Sequence, residues 1–446
     1  MKIDRKIFSV LFLSVFLVAC SSKEAEPTSE IEVVRTTDLI ENINQSQKDE
    51  NNDESSQSEE VIEENAQEID KKETEANQED QEDQKLNKVK IKTFGDIMAH
   101  LAQIQYAYNK GGGTYDFSDS FAYVSDYISD ADISIGNYET TTNPNLAYAG
   151  FPRFNAPKEY LEAIKDAGFD ILSTANNHSL DTEVEGLFTT IEAMDELGID
   201  HVGSKKSGQS SILYKNVNGI KLAFLAYTYG ANGLVDLVQV REEIPELNYL
   251  HPEEIQSDIK EAKANGADFV IVYPHWGIEY HSDPSADQVE LGREMIEWGA
   301  DLVIGNHPHV VEPYEYYEAS DGRTGFIAYA LGNFISFQNL ENNNDIRTEQ
   351  AVSYEIDLAK NPKNGSTSIE NIEAHPIWVG VKYNDFGTSV QTHMAEDFLD
   401  GGKYYDEVDD YQRSRIQQAY DMTIETIDKG NSVSYTHLTL PTTPYV

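Results

Sequence analysis

From Lys88 onward, short apolar runs alternate with stretches of helical period, and this alternation limits the fold more than any other feature of the sequence. Val89–Phe94, Asp132–Ile135 and Phe169–Ser173 have the length and β-branched or aromatic content of strands. Between them, Pro157–Ala167 puts Tyr160, Leu161 and Ile164 on one helical face, and Asp181–Leu197 repeats the pattern with Leu187, Ile191 and Met194. Lys221–Ala226 and Asp268–Tyr273 are near-continuous apolar runs, as strands covered on both faces require. A further helix is predicted over Pro284–Trp298, leading into strands at Asp301–Ile304 and Gly325–Leu331, with extended patterns such as Val352–Ile356 closing the domain. Such βαβ alternation predicts one α/β domain over residues 88–430, its helices covering a sheet or a pair of sheets.

The two ends of the chain read differently. Met1–Cys20 has a basic start (Lys2, Arg5, Lys6) and an apolar run, Ile7–Ala19, too short for a comfortable membrane span, so an export signal is expected. Leu17-Val18-Ala19-Cys20 resembles the bacterial lipoprotein signal, in which the cysteine becomes the lipidated first residue. Residues 21–87 hold few large apolar side chains and are dense in Glu, Asp, Gln, Asn and Ser; they cannot offset their ordering entropy and are predicted to form a disordered acidic spacer. At the other end, 433–446 resembles a translated sequencing-library adapter and is kept out of fold reasoning. Over all 446 residues, 79 Asp and Glu against 33 Lys and Arg give a formal net charge of −46. Nucleic-acid binding draws on clustered cations, so that class is excluded. The single cysteine excludes a disulfide framework and any Cys-based zinc site.

Unusual polar residues stand at the end of nearly every predicted strand: Gly95-Asp96, Gly136-Asn137-Tyr138-Glu139, Ala175-Asn176-Asn177-His178-Ser179-Leu180-Asp181, His275-Trp276-Gly277, Gly305-Asn306-His307-Pro308-His309 and Gly332-Asn333. Sites in α/β folds lie at the carboxyl edge of the sheet, so these loops are expected to converge. Asp, Glu, Asn and His together form the ligand set of a divalent ion such as Mn, Fe or Zn. His307 and His309, two apart, reach one site only if the backbone bends between them, which Pro308 assists. Singly, each residue has a duller reading: Asp96 as a turn or cap residue, His275 as a packed core histidine, Asn176 and Asn177 as turn formers. Their coincidence is what structural roles alone do not predict.

In order and spacing, these blocks, with Ile97-Met98, Ile278-Glu279-Tyr280 and Leu331…Phe334 around them, resemble the CapA family of poly-γ-glutamate capsule biosynthesis proteins over about residues 88–380. The resemblance implies a calcineurin-like metallophosphatase fold, an α/β sandwich of two sheets flanked by helices, with a site for one or two divalent ions. Asp96 would bind one metal, and Glu139, or Asn137 beside it, would bridge. Asn177 would be a ligand and His178 a general acid or phosphate contact, with Asp181 either orienting that imidazole or capping the next helix. His275 and His307 would complete the second metal, His309 would return to the first, and Asn176, Glu279 and Asn333 would meet substrate. Two such ions clamp an in-line displacement at phosphorus. One departure stands out: the metallophosphatase first block carries His two residues after the Asp, where this chain has Met98, with His100 displaced.

By the same resemblance the chain would be an extracytoplasmic lipoprotein, held to the cell membrane by lipid on Cys20, acting in synthesis, export or anchoring of an anionic polymer alongside membrane capsule-synthesis proteins. A bound metal and cations such as Arg153 and Lys205 would offset like-charge repulsion locally, much of the acidic excess lying in the spacer. Two other readings stay open: a metal-dependent phosphoesterase or other hydrolase unrelated to polyglutamate, and a metal-free binding scaffold. Tyr227, Tyr229, Tyr273 and Tyr280 are candidates for a substrate groove or for core packing.

Overall fold

The computed structural model describes residues 87–234 and 246–429 and the backbone of 438–439. The expected signal with Cys20, the spacer up to residue 86 and the remainder of 433–446 lie outside the described residues.

Strand β1 (Asn87–Ile97) is followed by α1 (Leu101–Lys110), β2 (Ile133–Tyr138), α2 (Lys158–Asp166), β3 (Ile171–Ser173), α3 (Glu183–Leu197) and β4 (Asp200–Val202). The four strands run parallel, side by side. Next come β5 (Leu213–Val217), β6 (Ile220–Thr228), α4 (Pro252–Ala264), β7 (Phe269–His275), α5 (Ala286–Trp298), β8 (Leu302–Ile304), β9 (Tyr314–Glu318) and β10 (Thr324–Ala328). They build a second sheet in the order β9-β10-β8-β7-β6-β5, parallel except at its two edges. The chain then returns to the first sheet. There β11 (Asn333–Ile335) pairs with the end of β1, while β12 (Gln350–Lys360), β13 (Thr367–Asn384) and β14 (Gly387–Met394) extend the sheet antiparallel, before α6 (Asp410–Asp428).

Residue alternation along β6 explains the layering. Leu222, Phe224 and Ala226 enter a core shared with Ile91, Ile133 and Tyr354 of the first sheet, while Ala223, Leu225 and Tyr227 turn outward to Ile255 and Ile259 of α4. On the far face of the first sheet, Phe94, Phe169 and Phe334 meet edge to face with centroids 5.0, 5.0 and 5.4 Å apart. They pack beneath Tyr160, Leu161 and Ile164, the α2 face expected from the sequence, and each buried ring contributes roughly 2 kcal/mol. The result is two facing sheets with helices outside both, the sandwich the resemblance implies. Local signals fix the helix ends: Ser285 and Gln288 form a capping box at α5, and Gly198 closes α3 at φ 66°. Among the described residues, no helix is long and apolar enough to cross a membrane.

The predicted strand Gly325–Leu331 is shorter than expected, ending at Ala328. Beyond it the chain crosses from the second sheet to the first, turning at Gly332 with φ 76°. Asn333 therefore opens a strand instead of closing one. A second irregularity lies in β1, whose register with β2 slips by one residue between Thr93 and Asp96. The Tyr273 hydroxyl from the facing sheet fills that bulge, accepting from the Phe94 amide at 3.3 Å and lying 3.1 Å from the Ile135 carbonyl. The bulge re-aims the end of β1, and with it Asp96.

Candidate metal centre

The carboxyl ends of β1, β2, β3, β7 and β8 meet at one edge of the sandwich, and every predicted metal-binding residue is found there. Glu139 lies at the middle. Its side chain is fully buried, and neither carboxylate oxygen has a hydrogen-bond partner. Facing Oε1 are the Nε2 atoms of His275 at 3.7 Å, His309 at 3.7 Å and His178 at 4.0 Å. Burial, then the neighbouring Asp96 carboxylate, push Glu139 well above the usual carboxylate range. A cation between these groups would reverse that penalty, because both carboxylates would then be neutralised. Three sets have ligand atoms within 4.8 Å of one another: Glu139 with His275 and His307; Asp96 with Glu139 and His309; and Glu279 with His307 and His309.

The surrounding bonds orient these ligands. Asp96 Oδ1 accepts from the Asn137 amide at 2.8 Å, and its Oδ2 lies 3.2 Å from His309 Nδ1. His309 Nδ1 also meets Asn333 Oδ1 at 3.0 Å, which leaves its Nε2 turned to Glu139. Burial is the largest single influence and opposes a proton on His309, but the bond to Asp96, the Asp96 and Glu279 charges and the bond to Asn333 together outweigh it and raise this imidazole. His275 places Nε2 2.9 Å from Asn177 Oδ1 and Nδ1 3.2 Å from the Asn137 amide. Burial and the neighbouring imidazoles hold His275 well below its ordinary value and His307 at about 3, so both are in the neutral form that metals bind. The bend expected at Pro308 is real: His307 has φ 102° and His309 φ 59°, and His307 Nδ1 is buried without a partner. Left-handed backbone at two non-glycine residues stores strain that the convergence of both rings requires.

His178 Nδ1 lies 2.7 Å from Asp181 Oδ2, which also accepts from the Phe154 amide at 2.6 Å. Thr182, not Asp181, stands at the N-cap of α3, so the geometry favours the orienting role. Two residues expected at the substrate are placed differently. Asn176 is buried; its amide donates to the Tyr138 carbonyl at 2.8 Å and its Oδ1 accepts from the His178 backbone at 3.1 Å, so it shapes the turn. Asn333 is also buried, holding His309 and donating to the Thr348 carbonyl at 3.0 Å. Glu279 is exposed at the mouth, within ligand reach of His307 and His309. His100 does not take the place vacated at Met98. Its Nδ1 accepts from the Phe337 amide at 3.2 Å, and its ring lines the same cavity as His178 and His309.

Of the four tyrosines, Tyr227 and Tyr273 are core residues, whereas Tyr229 is half exposed with its ring 4.7 Å from that of His307. Burial and the Glu279 and Glu139 carboxylates push its hydroxyl up to about 12. The loop after β6 also supplies Asn232, at φ 46°, whose Oδ1 accepts from the Asn177 amide at 3.3 Å. The sequence signal for Asn232 was a small polar residue within Gly230-Ala231-Asn232-Gly233, a pattern that fits any turn.

A family model described as "Bacterial capsule synthesis protein PGA_cap" matches residues 90–338, the span holding all of these residues. The chain is 33% identical over 260 residues to the capsule biosynthesis protein CapA of Bacillus anthracis, covering 56% of this chain and 60% of that one. It is 31% identical over 288 residues to the PGA biosynthesis protein CapA of Bacillus subtilis, covering 63% and 70%. It is 22% identical over 236 residues to a probable polyglutamine synthesis accessory protein of Mycobacterium tuberculosis, covering 50% and 60%. Among solved structures it is similar to a calcineurin-like phosphoesterase from Bacillus subtilis at 16% identity and a TM-score of 0.38, covering 76% and 99%, a likeness too loose to bear on activity.

Proposed function

Because the chain belongs to the bacterial capsule synthesis protein PGA_cap family, we propose that it acts in assembly of a polyglutamate-type surface polymer, through a divalent metal centre of metallophosphatase type. The observation that carries this reading is Glu139: a buried carboxylate with no hydrogen bond, faced by three imidazole nitrogens within 4.0 Å. A buried charge without a partner is costly, so the arrangement fits a bound cation. Asp96, Glu139, His275, His307 and His309 would hold it, with Asn177 and Asn137 beside them. The mixed O and N donors suit Mn, Fe or Zn. A bound ion would supply Lewis-acid charge and an activated water.

The remaining work falls to the protein. His178, oriented through Nδ1 by Asp181, presents Nε2 to the centre and is placed to exchange a proton with a leaving group. Tyr229 covers His307 from the solvent side. The relatives' descriptions concern PGA and, in the mycobacterial case, polyglutamine; by kinship this chain would handle an amide-linked polymer of glutamate type. We place it outside the cytoplasmic membrane, tethered by lipid on Cys20 beside membrane proteins of polymer synthesis, on the strength of the basic start, the apolar run and the Leu17–Cys20 pattern.

The test is genetic and chemical together. Deleting the gene is expected to lower surface polymer, the parent gene to restore it, and the His307→Ala gene to fail while its product accumulates normally. Full restoration by His307→Ala would remove the metal centre from the function; unchanged polymer in the deletion would remove the capsule reading.

A further inference from the structure

Glu279 stands at the mouth of the centre with its side chain exposed, and among the described residues no hydrogen bond or ion pair holds its carboxylate. Its backbone, by contrast, is fixed. The Glu279 carbonyl lies 3.0 Å from His281 Nδ1, the Tyr280 amide donates to the Pro308 carbonyl at 2.8 Å, and the Tyr280 carbonyl accepts from Arg347 at 3.0 Å. Pro308 is the residue between the two histidines of the bend, so the loop that carries Glu279 is tied to the segment that presents His307 and His309. The result is a free carboxylate on an anchored root, with an oxygen within 4.8 Å of a nitrogen of each histidine.

The surroundings offer that carboxylate no other cation. A cavity of ≈ 300 Å³ opens beside the centre, with Glu279, Tyr280, His178 and His309 in its wall, and among the described residues no Lys or Arg lines it. Arg347 is committed to Asp345 at 2.6 Å, and Arg153 is exposed and outside the lining set. The charge that would answer Glu279 is therefore that of an ion held by His307 and His309. A carboxylate arriving from solvent is in the same position: each unit of a glutamate polymer carries one, and in this cavity it finds the ion as its positive partner. Asp96 and Glu139 are fully buried, and releasing either would leave a charge with no water to solvate it. Glu279 is the acidic group that water can take back, so it is the one that can give way.

We propose that Glu279 is an exchangeable ligand of the metal centre, displaced by a free carboxylate of the polymer, so that the polymer is recognised through its own acidic groups at the ion. The inference rests on the metal centre and the polymer reading above and deepens both. In the exchange, the bond from a Glu279 oxygen to the ion breaks as one from a polymer carboxylate oxygen forms; one negative ligand replaces another, and no proton or electron moves. Without polymer, Glu279 holds the ion against loss to solvent. With polymer bound, it returns to water.

The test is titration calorimetry on the full chain, first with Mn²⁺ and then with tri-γ-glutamate added to the Mn²⁺-loaded protein. Glu279→Gln, a change at an exposed position, is expected to weaken Mn²⁺ binding about tenfold. Once loaded, it is expected to bind the peptide about tenfold more tightly than the parent, because the competing ligand is gone. Glu279→Asp keeps the charge but draws it back by one methylene, and is expected to behave as Glu279→Gln does; parent-like behaviour would mean that charge alone acts and would overturn the proposal. Chelation is expected to abolish peptide binding by the parent, and binding that survives it would also overturn the proposal. Metal content of the same samples tells the ways of failing apart. A parent that retains no ion removes the metal centre and the proposal with it, and loaded proteins that both ignore the peptide remove the polymer reading and the proposal with it. Equal or lower peptide affinity in loaded Glu279→Gln overturns the assignment of Glu279 alone.

Discussion

Gly95 and Gly332 meet so closely that a methyl group added to Gly95 would sit 1.9 Å from the Gly332 carbonyl oxygen. That oxygen accepts the amide hydrogen of Asp96 at 3.0 Å. The contact lies where the chain passes from the second sheet back to the first, and it sets the position of the carboxylate that opens the proposed metal centre. Any side chain at Gly95 must push the two strands apart.

Gly95→Ala is therefore expected to destabilise the domain by about 2–4 kcal/mol and to weaken metal binding together with stability. Denaturant unfolding and metal titration of the same variant check this. A loss under about 0.5 kcal/mol would show that the strands part easily.

Glu139→Gln separates the cost of the buried carboxylate from its use. Burial and Asp96 disfavour its charge when no cation neutralises it, so the variant is expected to be as stable as the parent, or more so, in the presence of chelator. On adding Mn²⁺ at about 100 times the parent's Kd, the parent gains about 2.7 kcal/mol and the variant little. Thermal unfolding with and without metal measures both; an equal gain in the two proteins would contradict the assignment.

Asp181→Asn keeps an acceptor for the Phe154 amide but alters what fixes the His178 ring. Turnover of a chromogenic phosphodiester is expected to fall about 10–100-fold, with metal content unchanged and KM nearly so. A parallel loss of metal would make Asp181 part of the ligand scaffold instead.

Glu312 gives a pH signature away from the centre. Burial raises it to about 8 from 4.5, against the opposing donation of Gln288, whose amide reaches it at 2.6 Å. A carboxylate with a raised folded-state value contributes its full stability below about 4.5 and loses it as pH climbs towards 8, because the unfolded chain ionises first. Glu312→Gln removes that loss. It is expected to match the parent near pH 4.5 and to exceed it increasingly above, by up to roughly 1.4 kcal/mol per pH unit. Unfolding curves at pH 5 and 8 test this, and a constant difference between them would contradict it.

The parts of this site that the sequence makes legible are those carried by residue type at a strand end. Asp96, Asn177, His178, His275, His307 and His309 could be read in this way because α/β topology sends such loops to one edge. The bend at Pro308 was readable for the same reason: two histidines in one short loop had to turn to share a site. What escaped depends on contacts between distant segments. The Tyr273 hydroxyl in the β1 bulge, the Gly95–Gly332 crossing and the placement of Asn232 over Asn177 leave no local pattern, since each is made by the packing of two sheets. Asn176 and Asn333 were expected at the substrate from the family resemblance; both are buried and hold neighbouring groups. Helix α6 is a different case: Asp409 and Gln412 form a capping box, and Ile416, Ala419, Thr423 and Ile427 recur at helical spacing on its buried side.

The central claim is that the edge around Glu139 is a metal centre, and elemental analysis of the purified protein tests it most directly, parent against a His275→Ala, His307→Ala double variant. After incubation with Mn²⁺, Fe²⁺ or Zn²⁺ and removal of free ions, the parent is expected to retain at least one ion per chain and the variant close to none, with phosphodiester turnover following the metal. A folded parent that retains no metal under all three conditions, or a variant that retains as much as the parent, would contradict it.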